Sequence, residues 1–175
     1  DGKNGKIATK NIATLTSLDV SNSSITDLTG IQDFLALKTL YCSLNPITAL
    51  DLSKNVALTY LGCTGNSGSQ SGGGNGKLTS LDLSKNIKLK TLNCSYNQIE
   101  ALDISQCTEL TYLNCSINYI SSLAIVSDKL TQITCNGNRI KALDVSKNIN
   151  LTSLYCDYNK LTTLDLSKNT NLNYL

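Results

Sequence analysis

Seven cysteines are the residues of this chain with the widest chemical range, and six of them recur at an almost constant spacing. These six are Cys42, Cys63, Cys94, Cys115, Cys135 and Cys156. Such a series could form disulfides, bind a metal ion or supply a nucleophile. A nucleophile needs an activating base, however, and the sequence contains no histidine, which is the commonest general base and the commonest metal ligand.

The cysteines belong to an internal repeat of about 21 residues with the pattern L-x-x-L-x-C-x-x-N-x-(I/L)-x-x-L-D-L-S-K-N-x-x, whose positions are numbered here from its first leucine. The units begin at Leu15, Leu37, Leu58, Leu89, Leu110, Leu130, Leu151 and Leu172. One unit offers about six large apolar side chains worth roughly 2 kcal/mol each on burial, whereas ordering it costs about 30 kcal/mol. A single unit cannot fold alone, so neighbouring units must stack.

Alternation at the fourth to sixth positions predicts a short strand with its leucine and cysteine pointing inward. Stacking in register then makes a parallel sheet with strands about 4.8 Å apart. The L-D-L-S segment also alternates, so the opposite wall is either a second, shorter strand or an extended turn. In the first unit, Ile31, Phe34 and Leu35 have helical spacing and predict a helical turn on that wall.

These units predict a leucine-rich-repeat solenoid over residues 15–175, with seven units and a truncated eighth. Residues 1–14 are interpreted as the remnant of an N-terminal cap. Within them, the segment from Asp1 to Ile7 resembles the end of an EF-hand-type loop. The acidic ligand expected at its twelfth position would fall on Asn11, so the calcium site is incomplete. A Gly/Ser-rich insertion at 67–76 interrupts the third unit, and removing it restores the period.

The repeat geometry favours a buried ladder of free thiols. In-register neighbours lie about 4.8 Å apart, whereas the Cβ atoms of a disulfide need about 3.8 Å. A linear column also cannot surround a tetrahedral zinc ion. Val20 takes the same position in the first unit, which indicates a slot for a small apolar group. Cys107 stands instead at the nineteenth position, on the far wall, and we expect it to be unpaired. The sequence therefore predicts no catalytic residue, no metal site and no cofactor.

Asparagines mark both corners of the repeat. Those at the ninth position are Asn45, Asn66, Asn97, Asn118, Asn138 and Asn159. Where a strand ends, backbone groups turn inward and lose their sheet partners, and an amide side chain can both donate to them and accept from them. We therefore expect a structural ladder. The same role is expected at the nineteenth position of Asn55, Asn86, Asn148 and Asn169.

Aspartates recur in the L-D-L-S-K-N segment, as Asp51, Asp82, Asp103, Asp144 and Asp165. Repeated carboxylates could form acid/base pairs or bind calcium. Each one, however, alternates with inward leucines and lies near a serine and, in most units, a lysine. A solvated outer face is therefore the favoured interpretation.

Eight tyrosines all fall on outward positions of the strand side or of the corner that follows it. Tyrosine supplies a large contact area at low entropic cost, so this placement predicts a binding surface. The alternative is that aromatic residues simply favour strands. With neighbouring amides included, the candidate ligand-binding residues are Tyr41, Tyr60, Asn93, Tyr96, Tyr112, Asn114, Tyr155 and Tyr158.

The overall charge is only +2, from 15 basic and 13 acidic residues. This balance predicts no attraction to nucleic acid or to an anionic membrane. No apolar run is long enough to span a bilayer, so no direct membrane insertion is expected. The chain starts at Asp1 without a visible signal sequence, and we expect that any targeting segment has been removed.

The units Leu37–Ala57 and Leu151–Asn171 resemble the cysteine-type leucine-rich repeats of internalin-like bacterial surface proteins and of related surface proteins of Bacteroidetes. The resemblance implies a right-handed superhelix with a concave parallel sheet and a mostly irregular or short-strand convex wall. It also implies a non-catalytic, secreted or cell-surface module that binds a protein or glycan partner, such as one on a host surface, through the concave face. The alternatives are a structural spacer or stalk, and the regulatory arm of an enzyme encoded beyond residue 175.

The insertion yields a prediction about stability. Ser67 to Gly76 contains five glycines, three serines and no apolar residue, so it can bury nothing that offsets its ordering entropy. Deleting residues 67–76 should leave the free energy of unfolding in denaturant unchanged within about 1 kcal/mol. A much larger loss would show that the segment packs on the solenoid.

Overall fold

The computed structural model of the chain describes residues 12–65 and 76–175. The incomplete calcium loop, Asn66 and nearly all of the predicted insertion lie outside the described residues.

Seven short strands form a single sheet, one strand per repeat, and every neighbouring pair is parallel. They are β1 Ser17–Asp19, β2 Thr39–Tyr41, β3 Tyr60–Gly62, β4 Thr91–Asn93, β5 Tyr112–Asn114, β6 Gln132–Thr134 and β7 Ser153–Tyr155. The order in the sheet equals the order in the sequence, and a bridge between Ser153 and Tyr174 adds the truncated eighth unit. The predicted stack of leucine-rich repeats is therefore confirmed.

The register of the sheet aligns the fourth position of every unit. Leu40 pairs with Leu61, and Leu92 pairs with Leu113, and these four side chains are fully buried. The inward leucines, isoleucines and cysteines of all coils form one continuous hydrophobic cluster along the stack. Each coil is thus stabilised mainly by burial against its neighbours.

Backbone hydrogen bonds between coils continue past the strands. The amide of Cys94 donates to the carbonyl of Asn114 at 2.9 Å, and the amide of Tyr96 donates to the carbonyl of Ser116 at 2.9 Å. Equivalent bonds from the sixth and eighth positions recur in the other described coils. This longer ladder extends the in-register pairing from each strand into the corner that follows it.

At this sheet corner, asparagine side chains complete the ladder. The Nδ2 of Asn118 donates to the carbonyls of Cys94 and Cys115, each at 3.1 Å, and its Oδ1 accepts from the amide of Ile99 at 2.9 Å. One side chain therefore joins three backbone groups in two successive coils. The same arrangement is made by Asn45, Asn97, Asn138 and Asn159.

At the far corner, asparagine acts only as a donor. The Nδ2 of Asn169 donates to the carbonyls of Val145 and Asn148 of the preceding coil, both at 2.9 Å. The Oδ1 atoms of the four asparagines in this column, Asn55, Asn86, Asn148 and Asn169, have no protein hydrogen-bond partner among the described residues. In the shortened fifth unit Ser127 takes over this corner, because its hydroxyl lies within hydrogen-bond distance of the carbonyls of Thr108 and Leu110, at 2.9 and 2.8 Å.

The far wall is an extended turn rather than a second strand. The leucines on either side of Asp51 point inward and are buried, and the amide of Ser53 donates to Asp51 Oδ1 at 2.9 Å. This bond starts a turn. The described residues of the far wall therefore form turns instead of strands, and they do not pair as a second sheet. In the first unit a 3-10 helix at Ile31–Asp33 replaces the turn. It is shorter than the spacing predicted, and Leu35 lies beyond it, largely exposed.

The insertion leaves and rejoins the stack through two glycines in contact. The amide of Gly76 donates to the carbonyl of Tyr96 at 3.1 Å, which is the bond that Asn118 makes to Gly137 in a regular coil. Gly76 therefore fills the ninth position of its unit. It belongs to the stack, so the insertion ends one residue earlier than predicted. A Cβ on Gly65 would lie 1.8 Å from the Tyr96 carbonyl oxygen, so no larger residue fits there.

The corner geometry predicts a clear difference between inward amides and outward lysines. Asn118→Ala should cost roughly 1–3 kcal/mol of unfolding free energy, because it leaves the buried Ile99 amide without its acceptor and removes one of two asparagine donors from each of the Cys94 and Cys115 carbonyls. Lys147→Ala, on the exposed far wall, should cost less than about 0.5 kcal/mol. Equal losses in chemical denaturation would contradict the assignment of the corner.

Candidate functional site

The cysteine column lies inside the stack. The six described coils that carry it keep their thiols free, and all but Cys156 are buried. Cys156 is half-buried. Cys107 is also buried and free, and its Sγ lies 4.0 Å from the Asn86 carbonyl, in the place that asparagine takes elsewhere at the far corner.

Burial keeps these thiols protonated. It raises the pKa of Cys42, Cys94 and Cys135 to about 12, and the pKa of Cys107 to about 11, from an ordinary value of 9.0. The thiolate is the form that attacks substrates and binds metals. Within residues 12–65 and 76–175, no group of three or more cysteine, aspartate or glutamate side chains is placed to hold a metal ion.

The aspartate column closes the far-wall turns. Each of its five carboxylates is exposed and accepts a hydrogen bond at 2.8–2.9 Å from the amide of the serine two residues later. Hydrogen bonds from Ser53, and a further one from the Gln32 amide group, lower the pKa of Asp51 to about 2. These carboxylates therefore stay ionised at neutral pH, and none is placed as a general acid.

The outward side of the sheet, formed by the third and fifth positions of β1–β7, is called the strand face below. It carries six of the eight candidate binding residues, and five of them lie on four adjacent strands: Tyr41, Tyr60, Asn93, Tyr112 and Asn114. Tyr155 stands on the same face but two strands further along, on β7. The described structure thus brings five of these residues together in one patch.

Two tyrosines of this patch contact each other. The rings of Tyr41 and Tyr60 lie with their centroids 4.7 Å apart and their planes at 46°. A Cβ on Gly62 would be only 3.3 Å from Cε1 of Tyr60, so the Tyr60 ring lies over the glycine. Partial burial beside Tyr41 and Tyr112 raises the pKa of the Tyr60 hydroxyl, which therefore stays neutral.

The two central asparagines are held by serines. Oδ1 of Asn93 accepts from the hydroxyl of Ser95 at 2.8 Å, and Oδ1 of Asn114 accepts from the hydroxyl of Ser116 at 2.7 Å. Both serines are buried. The sequence reasoning did not single out these serines, although the shared Asn-Cys-Ser spacing is a local signal for a side-chain turn.

The remaining candidates, Tyr96 and Tyr158, lie at the corner rather than on the strand face. Both have left-handed backbone conformations, with φ of 58° and 51°. The same conformation recurs at the eighth position in Leu44 and Ile117, although large side chains usually avoid it. The corner also holds Tyr119 and Arg139 at the tenth position, which the sequence reasoning did not assign to the site. The Arg139 guanidinium lies 4.3 Å from the centre of the Tyr119 ring.

Comparison with known proteins identifies the class of this solenoid. Residues 87–128 match the family of leucine-rich repeats, in two copies. A solved structure of a leucine-rich-repeat protein from Leptospira interrogans shares the fold, with a TM-score of 0.69 over 83% of this chain and 23% identity. The chain is therefore a leucine-rich-repeat solenoid.

Within that class the chain is similar to internalin-like proteins with a cysteine ladder. A solved functional domain of internalin J from Listeria monocytogenes, which includes a cysteine ladder, is 40% identical, with a TM-score of 0.75. The match covers 97% of this chain and 40% of that one. A 49-residue segment is 55% identical to internalin J of a serotype 4b strain of that organism, over 28% of this chain and 5% of the relative. The expected resemblance is confirmed, and these matches indicate no catalytic family.

The buried thiols predict that the folded state loses stability at alkaline pH. Their pKa values are raised in the folded state, so their contribution is complete below about pH 9 and is lost as pH rises from there toward 12. Each buried thiol should lower the unfolding free energy by about 1.4 kcal/mol per pH unit in this range.

Unfolding in denaturant at several pH values from about 8.5 to 10.5 measures this slope. Cys94→Ala should reduce the slope by the contribution of one thiol, whatever its effect on stability at neutral pH. Asp82→Asn, which removes a group that is already ionised throughout this range, should leave the slope unchanged. An identical slope in the wild type and in Cys94→Ala would contradict the buried, protonated ladder.

Proposed function

We propose that this chain is a non-catalytic module, secreted or displayed at the cell surface, that binds a protein or glycan partner through its strand face. The observation that carries the proposal is the patch of contacting tyrosines and oriented amides on β2–β5. Tyrosine rings and amide groups together suit a partner with both apolar surface and hydrogen-bonding groups. The internalin-like fold supports a role in binding.

The placement of reactive groups supports binding without turnover. The thiols lie inside the stack and stay protonated, and the ordered carboxylates close turns on the far wall. The strand face of the described residues presents hydroxyl and amide groups and one carboxylate, that of Asp19 on β1, whose Oδ1 accepts from the amide of Ser21 at 2.9 Å. The outward positions of β2–β5 carry no carboxylate or thiol.

The small net charge supports a partner other than nucleic acid. The formal net charge of +2 is too small to attract a polyanion by itself. No helix in the described part of the chain is long and apolar enough to cross a membrane. A protein or glycan surface that meets the strand face is consistent with this small net charge.

The proposal predicts that binding energy concentrates in the tyrosines of the patch. Tyr60→Ala and Tyr112→Ala should each weaken binding by roughly 1 kcal/mol or more, because large aromatic anchors dominate such interfaces. A glycan and protein binding screen of the whole chain supplies the ligand, and calorimetric titration measures the change in affinity.

Lys85→Ala, on the exposed far wall, is the matched control and should leave affinity unchanged. Thermal unfolding of each variant shows whether the solenoid is intact. A ligand that is lost in Lys85→Ala but retained by both tyrosine variants would contradict the strand-face assignment. Such a result would favour the alternative of a spacer with its contacts elsewhere.

A further inference from the structure

Two asparagines at the centre of the strand face offer hydrogen-bond donors but no free acceptor. Oδ1 of Asn93 accepts from both the amide and the hydroxyl of Ser95, at 3.2 and 2.8 Å. Oδ1 of Asn114 accepts likewise from Ser116, at 3.1 and 2.7 Å. Because a backbone N–H can only donate, these bonds fix which end of each amide is the oxygen. Both lone pairs of each oxygen are used.

The two Nδ2 groups are consequently left to face outward. Among the described residues neither one donates to a protein acceptor, and both asparagines are half-buried rather than enclosed. Asn93 and Asn114 are direct register partners on β4 and β5, about 4.8 Å apart. Together they present four N–H bonds in one small area.

Such a pair suits a carboxylate better than a hydroxyl. A carboxylate is acceptor-only and has two oxygens, so each amide can donate to one of them. A hydroxyl group also has an O–H donor, and this pair of asparagines has no free acceptor for it. A polar group left without a hydrogen-bond partner weakens binding.

An aromatic surface lies directly beside the amide pair. Gly62 is the register partner of Asn93, and the Tyr60 ring lies over Gly62, so the ring fills the outward space next to Asn93. The centroid of the Tyr41 ring lies 4.7 Å from that of the Tyr60 ring. Along the stack, the fifth-position column thus runs from a pair of aromatic rings to a pair of amide donors. A ligand that lies along it meets an apolar surface first and hydrogen-bond donors next.

We propose that this strip binds a sugar acid, whose ring packs on Tyr60 and whose carboxylate is held by Nδ2 of Asn93 and Asn114. The inference rests on the proposed function of the strand face and names its ligand class. Side chains on one face of an extended acidic peptide repeat about every 6.8 Å, out of register with coils about 4.8 Å apart. One pyranose ring with its carboxylate spans a single aromatic step and the amide pair.

Calorimetric titration of the whole chain with oligosaccharides that carry uronic or sialic acid, each paired with its carboxyl-reduced form, tests this assignment. Carboxyl reduction should weaken binding about tenfold or more, since a hydrogen bond to a charged group is lost. Asn93→Asp and Asn114→Asp keep the oxygen that accepts from serine but replace the donor by an acceptor. Each should produce a loss of at least about the same size.

Asn136→Asp adds the same charge near the strand face without removing either donor, and it should change affinity much less. The side-chain amide NMR signals of Asn93 and Asn114 should shift on titration with the acidic oligosaccharides and stay in place with the reduced forms. Thermal unfolding checks that the variants are folded.

Three results would overturn the assignment. Glycan binding that is lost in Tyr60→Ala but insensitive to carboxyl reduction and to both asparagine variants would leave the proposed function standing and remove the sugar acid. Binding of acidic peptides in place of sugar acids would also remove it. If no glycan or protein is found whose binding depends on Tyr60 or Tyr112, that result would overturn both the proposed function and this inference.

Discussion

Every coil of this solenoid must return to the sheet about 4.8 Å beyond the previous one, and the backbone groups that turn inward at its corners must find partners. Inward asparagines provide those partners. At the sheet corner, Asn118 joins two carbonyls and one amide from successive coils. At the far corner, Asn169 uses only its Nδ2 group, which donates to two carbonyls of the preceding coil. This requirement repeats in every coil, so the inward positions accept few residue types.

The same constraint decides where chemistry is possible. A thiol that fills a small inward slot, such as Cys94, is desolvated and stays protonated. A carboxylate such as that of Asp51 accepts the backbone hydrogen bond that closes a turn. The outward side chains of the strands, like the exposed lysines of the far wall, do not fill the interior of the stack. The proposed binding site lies on the side where Tyr41, Tyr60 and the central asparagines stand.

The period, the strands and the inward residues were predictable, because burial acts on fixed positions of a repeating unit. The left-handed eighth position was not, since Ile117 and Leu44 are residues that avoid that conformation. It is imposed by backbone bonds to the next coil, such as the one from Ile117 to Asn136. The contact of Tyr60 with Tyr41 could not be predicted either, because it depends on the missing side chain of Gly62.

The central claim is that asparagine side chains hold successive coils together at the sheet corner. Native-state hydrogen exchange followed by NMR tests it at the amides of Ile99, Ile120 and Ile140, each of which donates to an asparagine Oδ1 of the next coil at 2.9–3.0 Å. These amides should exchange only on global unfolding, with the same protection as the Cys94 and Cys115 amides of the backbone ladder. Exchange as fast as that of an exposed far-wall amide would contradict the account.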